Sequence, residues 1–160
     1  MTHSFHNEVS DWRIAIFPGS FDPFTVGHMS ILKRGLELFD KVIVAIGYNE
    51  HKYSADDMQS RKALVEAAIG ALERVEVMAY DGLTVDAAKR CGARFILRGI
   101  RNVADFEYER NMADINRQIS GIETVLLYSL PELSMISSSM VRELKRYGYD
   151  TSGYEAAGGE

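Results

Sequence analysis

The chain has 160 residues, 46% hydrophobic and 26% charged, the composition of one globular domain able to bury its own core rather than of a disordered chain. Its net charge of −5 resides in the two ends: residues 1–11 and 148–160 hold Glu8, Asp11, Asp150, Glu155 and Glu160 and no Lys or Arg, so the body is neutral, which speaks against a non-specific nucleic-acid or membrane binder. A single cysteine, Cys91, excludes an intrachain disulfide, no apolar run reaches the roughly 18 residues of a membrane span, and MTHSFHNEVSDW lacks both parts of a secretory signal, so a cytoplasmic protein is expected.

Five short apolar runs read as strands: 13–17, 41–47, 75–79, 94–97 and 124–128. Their near-continuous apolar character suits strands covered on both faces, as in a parallel sheet. Helical patterns lie between them. Met29, Leu32, Leu36 and Phe39 form one stripe, and Val65, Ala68, Ile69 and Leu72 a second. Residues 84–91 make a short third helix; Tyr108, Met112, Ile115 and Ile119 form a fourth stripe, serving equally as core or interface; Met140, Leu144 and Tyr147 close the series. The alternation predicts an α/β fold, a doubly wound, five-stranded parallel sheet, as one domain over 11–147. Residues 1–10 and 148–160 carry no apolar stripe and are expected to be flexible and dispensable. In such sheets ligands sit beyond the carboxyl ends of the strands, so the loops there are where function is sought.

After the first strand comes Pro18-Gly19-Ser20-Phe21-Asp22-Pro23-Phe24-Thr25-Val26-Gly27-His28. Gly19 lets backbone amides face a ligand, and Gly27 leaves room for a phosphate at the helix entrance. His28 falls in the first helical turn, beside unpaired N–H groups, which makes an anion site with a titratable donor. A plain strand-to-helix turn with an exposed histidine is the alternative. After the fourth strand, RGIRNVADFEYE sets Arg98 and Arg101 three apart around Gly99, a fork suited to phosphate oxygens. Asp105 and Glu107 read as acids favoured at a helix start, and Phe106 and Tyr108 as core. The basic run 89–101 reads equally as an anion site or a solvated face. After the fifth strand, LSMISSSMVR opens a helix with Ser137, Ser138 and Ser139, residues suited to capping and to binding phosphate.

PGSFDP followed by Thr25-Val26-Gly27-His28 resembles the (H/T)xGH signature of the nucleotidyltransferase superfamily. RGIRNVADFEYE, and ISSSMVR with Ser139 where threonine is usual, resemble segments of bacterial phosphopantetheine adenylyltransferases, and the likeness spans about residues 13–147. The resemblance implies a Rossmann-like nucleotidyltransferase fold and a homohexamer. It implies transfer of the adenylyl group of ATP to 4′-phosphopantetheine, giving dephospho-coenzyme A and pyrophosphate, in coenzyme A biosynthesis. His28, Lys52 and Arg98 would be catalytic. ATP would contact Ser20, Phe21, His28, Gly99, Ile100, Arg101, Glu109, Leu133, Ser134, Met135, Ile136, Ser137, Ser138 and Ser139. The acceptor would contact Ser20, Lys52, Thr84 and Arg98. Arg142 is the serine motif's arginine, or else a surface ion-pair partner. Mg2+ would be held mainly by substrate phosphates and water, with no metal ligands supplied by the protein. Another cytidylyl- or nicotinamide mononucleotide adenylyltransferase remains an alternative, as does a non-catalytic ATP-binding regulatory module. An enzyme needs His28, Lys52, Arg98 and Arg101 to converge; a module does not.

Overall fold

Five parallel strands alternate with five helices in the computed structural model, which describes residues 11–49 and 51–158. In chain order they are β1 (Ile14–Gly19), α1 (Val26–Leu38), β2 (Lys41–Gly47), α2 (Ala55–Ile69), β3 (Val75–Tyr80), α3 (Thr84–Arg90), β4 (Phe95–Ile100), α4 (Val103–Ser120), β5 (Glu123–Tyr128) and α5 (Ser138–Arg146), with a 3-10 turn at Pro131–Leu133 before α5. The sheet order is β3-β2-β1-β4-β5, the doubly wound α/β arrangement expected from the alternation. Chain direction across the sheet reverses between β1 and β4, which is the topological switch point.

Two strands run further than their apolar stretches. Pro18 and Gly19 stay in register with Ala45 and Ile46 of β2, and Arg98, Gly99 and Ile100 with Leu126, Leu127 and Tyr128 of β5. Arg98 and Gly99 therefore lie within β4 rather than after it. The backbone ladder is indifferent to side-chain polarity, so a strand continues past the point where apolar patterning stops.

Side chains alternate across the strands into two cores. Ala15, Phe17, Val42, Val44, Ile46 and Leu97 meet α1 and α2 on one face. Ile16, Ala45 and Ile96 meet Val85, Ala87 and Ala88 of α3 on the other. Helix α1 lies so close to β4 that a Cβ on Gly35 would come within 2.5 Å of a Leu97 methyl, so any larger residue would have to displace that buried side chain.

Helix α4 departs from the expectation. Phe106 and Tyr108 are exposed, not core, and so are Met112, Ile115 and Ile119. The one buried residue of this helix is Glu109. A 3.6-residue period reveals an apolar face but not what covers it.

The other correction concerns the end of the chain. Residues 148–158 do not fray: Thr151 is buried, and residues 154–156 pair with the chain entering α1. The expectation for residues 1–10 lies outside the described residues. Among the described residues no helix is long and apolar enough to cross a membrane.

Candidate active site

The loop from β1 to α1 is built on aromatic packing. Phe21 is buried with a positive φ of 47°, an uncommon conformation for a bulky residue, held by edge contact with Phe17 and tilted contact with Phe24. His28 stands against this cluster, its ring 5.0 Å from that of Phe21 and 5.4 Å from that of Phe24.

Thr25 caps α1, and its partner at the third helical position is His28 itself. The His28 amide donates to Thr25 Oγ1 (3.2 Å), and the Thr25 amide donates to His28 Nδ1 (3.0 Å). An Nδ1 that accepts carries no proton, so the neutral ring holds its proton on Nε2. Burial first, and then the charges of Arg98 and Arg101, lower the His28 pKa from 6.5 to about 4. At neutral pH the imidazole is an uncharged donor. Among the described residues, Gly27 is left as the one amide of this first turn without a partner.

These groups border a cleft of about 300 Å3 at the switch point. Ser20, Phe21, His28, Arg98, Gly99, Arg101, Glu109, Leu133, Ile136, Ser137, Ser138, Ser139 and Arg142, all singled out in the sequence, line it. Three expected members do not. Ile100 is buried in the sheet, Ser134 bonds back to the Pro131 carbonyl, and Met135 is 86% exposed. Thr84 lines a smaller hollow of about 190 Å3 that shares Pro18, Gly19, Arg98 and Glu109 with the cleft, so Arg98 stands at the boundary of the two.

Lys52 is elsewhere. It borders a groove between α2 and α5 with Asp22, Arg61 and Arg142. Of the four residues expected to converge, His28, Arg98 and Arg101 do, and Lys52 does not. Its loop turns back on itself, with the Lys52 amide bonded to the Asn49 carbonyl, and adjacency in sequence does not encode that turn.

Each arginine is held by an acid. Arg98 donates from Nε (2.9 Å) and from a terminal nitrogen (2.6 Å) to Glu109 Oε1, and its other terminal nitrogen bonds the Pro18 carbonyl. Glu109 is 6% exposed and so serves Arg98 directly. Asp105 accepts from both the amide and Nε of Arg101 at 3.1 Å, a role beyond the favourable helix-start charge read from the sequence. The four-residue spacing of Arg101 and Asp105 was the available signal.

The three serines divide their work. Ser137 caps α5 through the Met140 amide, Ser138 donates to the Pro23 carbonyl (2.8 Å), and Ser139 accepts from Arg142. Arg142 also donates to the Asp22 carbonyl (2.6 Å) rather than forming a surface ion pair. Arg61, which the sequence did not single out, reaches the Asp22 carboxylate (3.4 Å) and lies over the Tyr53 ring. The loop is thus tied down from α2 and from α5.

The family model described as Cytidylyltransferase-like matches residues 16–144. Phosphopantetheine adenylyltransferase of Phocaeicola vulgatus is 51% identical over 140 residues, covering 88% of this chain and 93% of that protein. The enzyme of Bacteroides thetaiotaomicron is 48% identical, covering 92% of this chain and 98% of its own, and that of Flavobacterium johnsoniae 50%, covering 85% and 90%. Among solved structures, a bifunctional NMN adenylyltransferase/ADP ribose pyrophosphatase from Francisella tularensis superposes with a TM-score of 0.66 at 17% identity, over 92% of this chain and 46% of that one; it carries the fold alone. The chain belongs to the cytidylyltransferase-like nucleotidyltransferases and, within them, to the phosphopantetheine adenylyltransferases.

Proposed function

We propose that the chain transfers the adenylyl group of ATP to 4′-phosphopantetheine, forming dephospho-coenzyme A and pyrophosphate. The observation that carries this reading is a neutral histidine donor at a helix start, facing the same cleft as two acid-held arginines. An oxygen of the acceptor phosphate attacks the α-phosphorus, and the bond from that phosphorus to the bridging oxygen of the β-phosphate breaks in line. The attacking phosphate is already an anion, so no strong base is required. Positioning and relief of charge repulsion are what the site must supply.

The roles follow from position. Arg98, at the boundary of cleft and hollow, holds the incoming phosphate, and the hollow beside Thr84 takes the rest of the acceptor. His28 donates its Nε2 proton to an α-phosphate oxygen, joined by the free Gly27 amide. Arg101, Ser139 and the Ser138 amide at the start of α5 receive the departing pyrophosphate, and Ser20, Phe21, Gly99, Leu133, Ile136 and Ser137 wall the nucleotide. Lys52, which borders the neighbouring groove, would join Arg98 on the acceptor phosphate only if its side chain left that groove. Glu109 acts on the acceptor side through Arg98, rather than on ATP.

Among the described residues no three His, Cys, Asp or Glu side chains group as a metal site. Mg2+ would be held by the triphosphate oxygens and water and would screen the phosphate charge. The exposed face of α4, with Tyr108, Met112, Ile115 and Ile119, is the surface through which a homohexamer would assemble. We place the enzyme in the cytoplasm, where ATP is supplied.

The test is pyrophosphate release from ATP with and without 4′-phosphopantetheine, and from CTP in parallel. Release that needs both ATP and the acceptor supports the reading. Release from CTP, or none with either nucleotide, overturns it. No observation favours the cytidylyl, nicotinamide mononucleotide or regulatory alternatives.

A further inference from the structure

The segment whose composition suggests a frayed tail folds onto the entrance of α1. The Thr151 carbonyl accepts from the amides of Tyr154 (2.9 Å) and Glu155 (3.3 Å), which closes a turn. Its hydroxyl donates to Glu155 Oε2 (2.8 Å), and Lys145 Nζ of α5 reaches Glu155 Oε1 (3.0 Å). Thr151 is 4% exposed, so this polar residue is buried and satisfied within the turn.

The turn presents two backbone groups to the active-site loop. The Val26 amide donates to the Tyr154 carbonyl (2.9 Å), and the Ala156 amide donates to the Phe24 carbonyl (3.0 Å), forming an antiparallel bridge between Thr25 and Glu155. Those bonds bracket Thr25 on both sides, and Thr25 holds His28 Nδ1. The first turn of a helix has amides with no partner of its own, and it frays unless they are satisfied. Here one goes to this turn, two to the Thr25–His28 pair, and Gly27 is left for a ligand.

We propose that residues 151–156 are a positioning strap for the adenylyl-transfer site: by bracketing Thr25 they hold His28 in one tautomer and one aim. Thr151 and Glu155 are then positioning residues, although neither lines the His28 cleft. Release of the strap frees the Val26 amide and loosens Thr25, so the Nδ1 acceptor bond is made only part of the time. Misplacement of a catalytic donor by about 1 Å can cost on the order of 100-fold in rate, and a partial loss of aim costs less.

The rate effect rests on the function proposed above; the tautomer effect does not. The experiment compares the full chain with Thr151→Val, Thr151→Ser and Glu155→Ala, reading kcat, both KM values and the ring-nitrogen NMR titration of His28. Arg98, from β4, and Arg101, from the loop after it, face His28 unchanged in every variant, so a shift reports the strap. For Thr151→Val we expect kcat to fall about tenfold with both KM values within about twofold. The His28 titration should move up from about 4 as the bond that favours the neutral ring is lost, and Thr151→Ser should restore both. Should Thr151→Val not fold, Glu155→Ala carries the same expectation, because it cuts the same turn at an acid whose partner Lys145 is exposed. Wild-type kcat and titration in a folded variant, or a lowered Tm with kcat unchanged, overturn the strap. A wild-type chain with Nε2-protonated His28 but no turnover would overturn the proposed reaction, while the strap is then judged on the titration alone.

Discussion

His28 couples folding stability to pH, and the size of the coupling follows from its environment. In the folded chain its pKa is lowered from 6.5 to about 4, chiefly by burial and then by Arg98 and Arg101. Between those values the unfolded chain binds a proton at this position that the folded chain refuses. The stability involved is therefore fully present above pH 6.5 and declines as pH falls toward 4. At about 1.36 kcal/mol per unit, the loss is about 2 kcal/mol by pH 5 and about 3 kcal/mol by pH 4. That is a large share of the roughly 5–15 kcal/mol that holds a domain folded. Urea unfolding of the wild-type chain and of His28→Gln, from pH 7.5 down to 5, isolates the effect. Carboxylates titrate alike in both and cancel in the difference, and glutamine keeps an acceptor for the Thr25 amide. The wild-type advantage should be constant above about pH 7 and should shrink by about 2 kcal/mol by pH 5. A difference that stays flat across this range would refute the half-buried, neutral imidazole.

Three further outcomes are expected from the same site. His28→Ala should lower kcat about 100- to 1,000-fold and change ATP affinity far less, measured by pyrophosphate release and calorimetric titration, because its donor bond strengthens as charge builds on the α-phosphate. Glu109→Gln removes the charge opposite Arg98; with Glu109 6% exposed but the Arg98 side chain 31% exposed, we expect a cost of about 2 kcal/mol in urea unfolding and weaker 4′-phosphopantetheine binding with ATP binding retained. Arg98→Ala should weaken binding of the acceptor and Arg101→Ala that of ATP; if separate titrations gave the reverse, the division of the cleft would be wrong.

Much of the site was legible because its chemistry is written in contiguous strings. Pro18 to His28 shapes one loop, Arg98 to Glu109 one strand end and the helix after it, and Ser137 to Arg142 one helix start. Contiguous strings place residues at strand ends, and a parallel sheet brings its strand ends together. What stayed hidden were pairings between strings and the partners of single residues. Arg61 and Asp22 are 39 residues apart, and Ser138 and Pro23 are 115 apart. Lys52 is the converse case: a lysine in the expected loop whose local turn places it at a neighbouring groove.

By itself the amino-acid sequence determined the order and kind of the elements, the parallel sheet and the loops that carry the chemistry. These follow from apolar period and turn residues, which act over a few positions along the chain. Tertiary structure alone decided which apolar stripe is covered, so that α4 shows Tyr108 and Met112 to solvent and buries Glu109. It alone set the protonation of His28, because desolvation and the nearness of Arg98 and Arg101 exist only once β1 and β4 lie side by side. It alone turned an acidic, stripe-less end into a strap. Residues 151–156 form no regular element of their own; their order comes from backbone groups that find partners 128 and 132 residues earlier, at Val26 and Phe24, only after the sheet has brought α1 within reach.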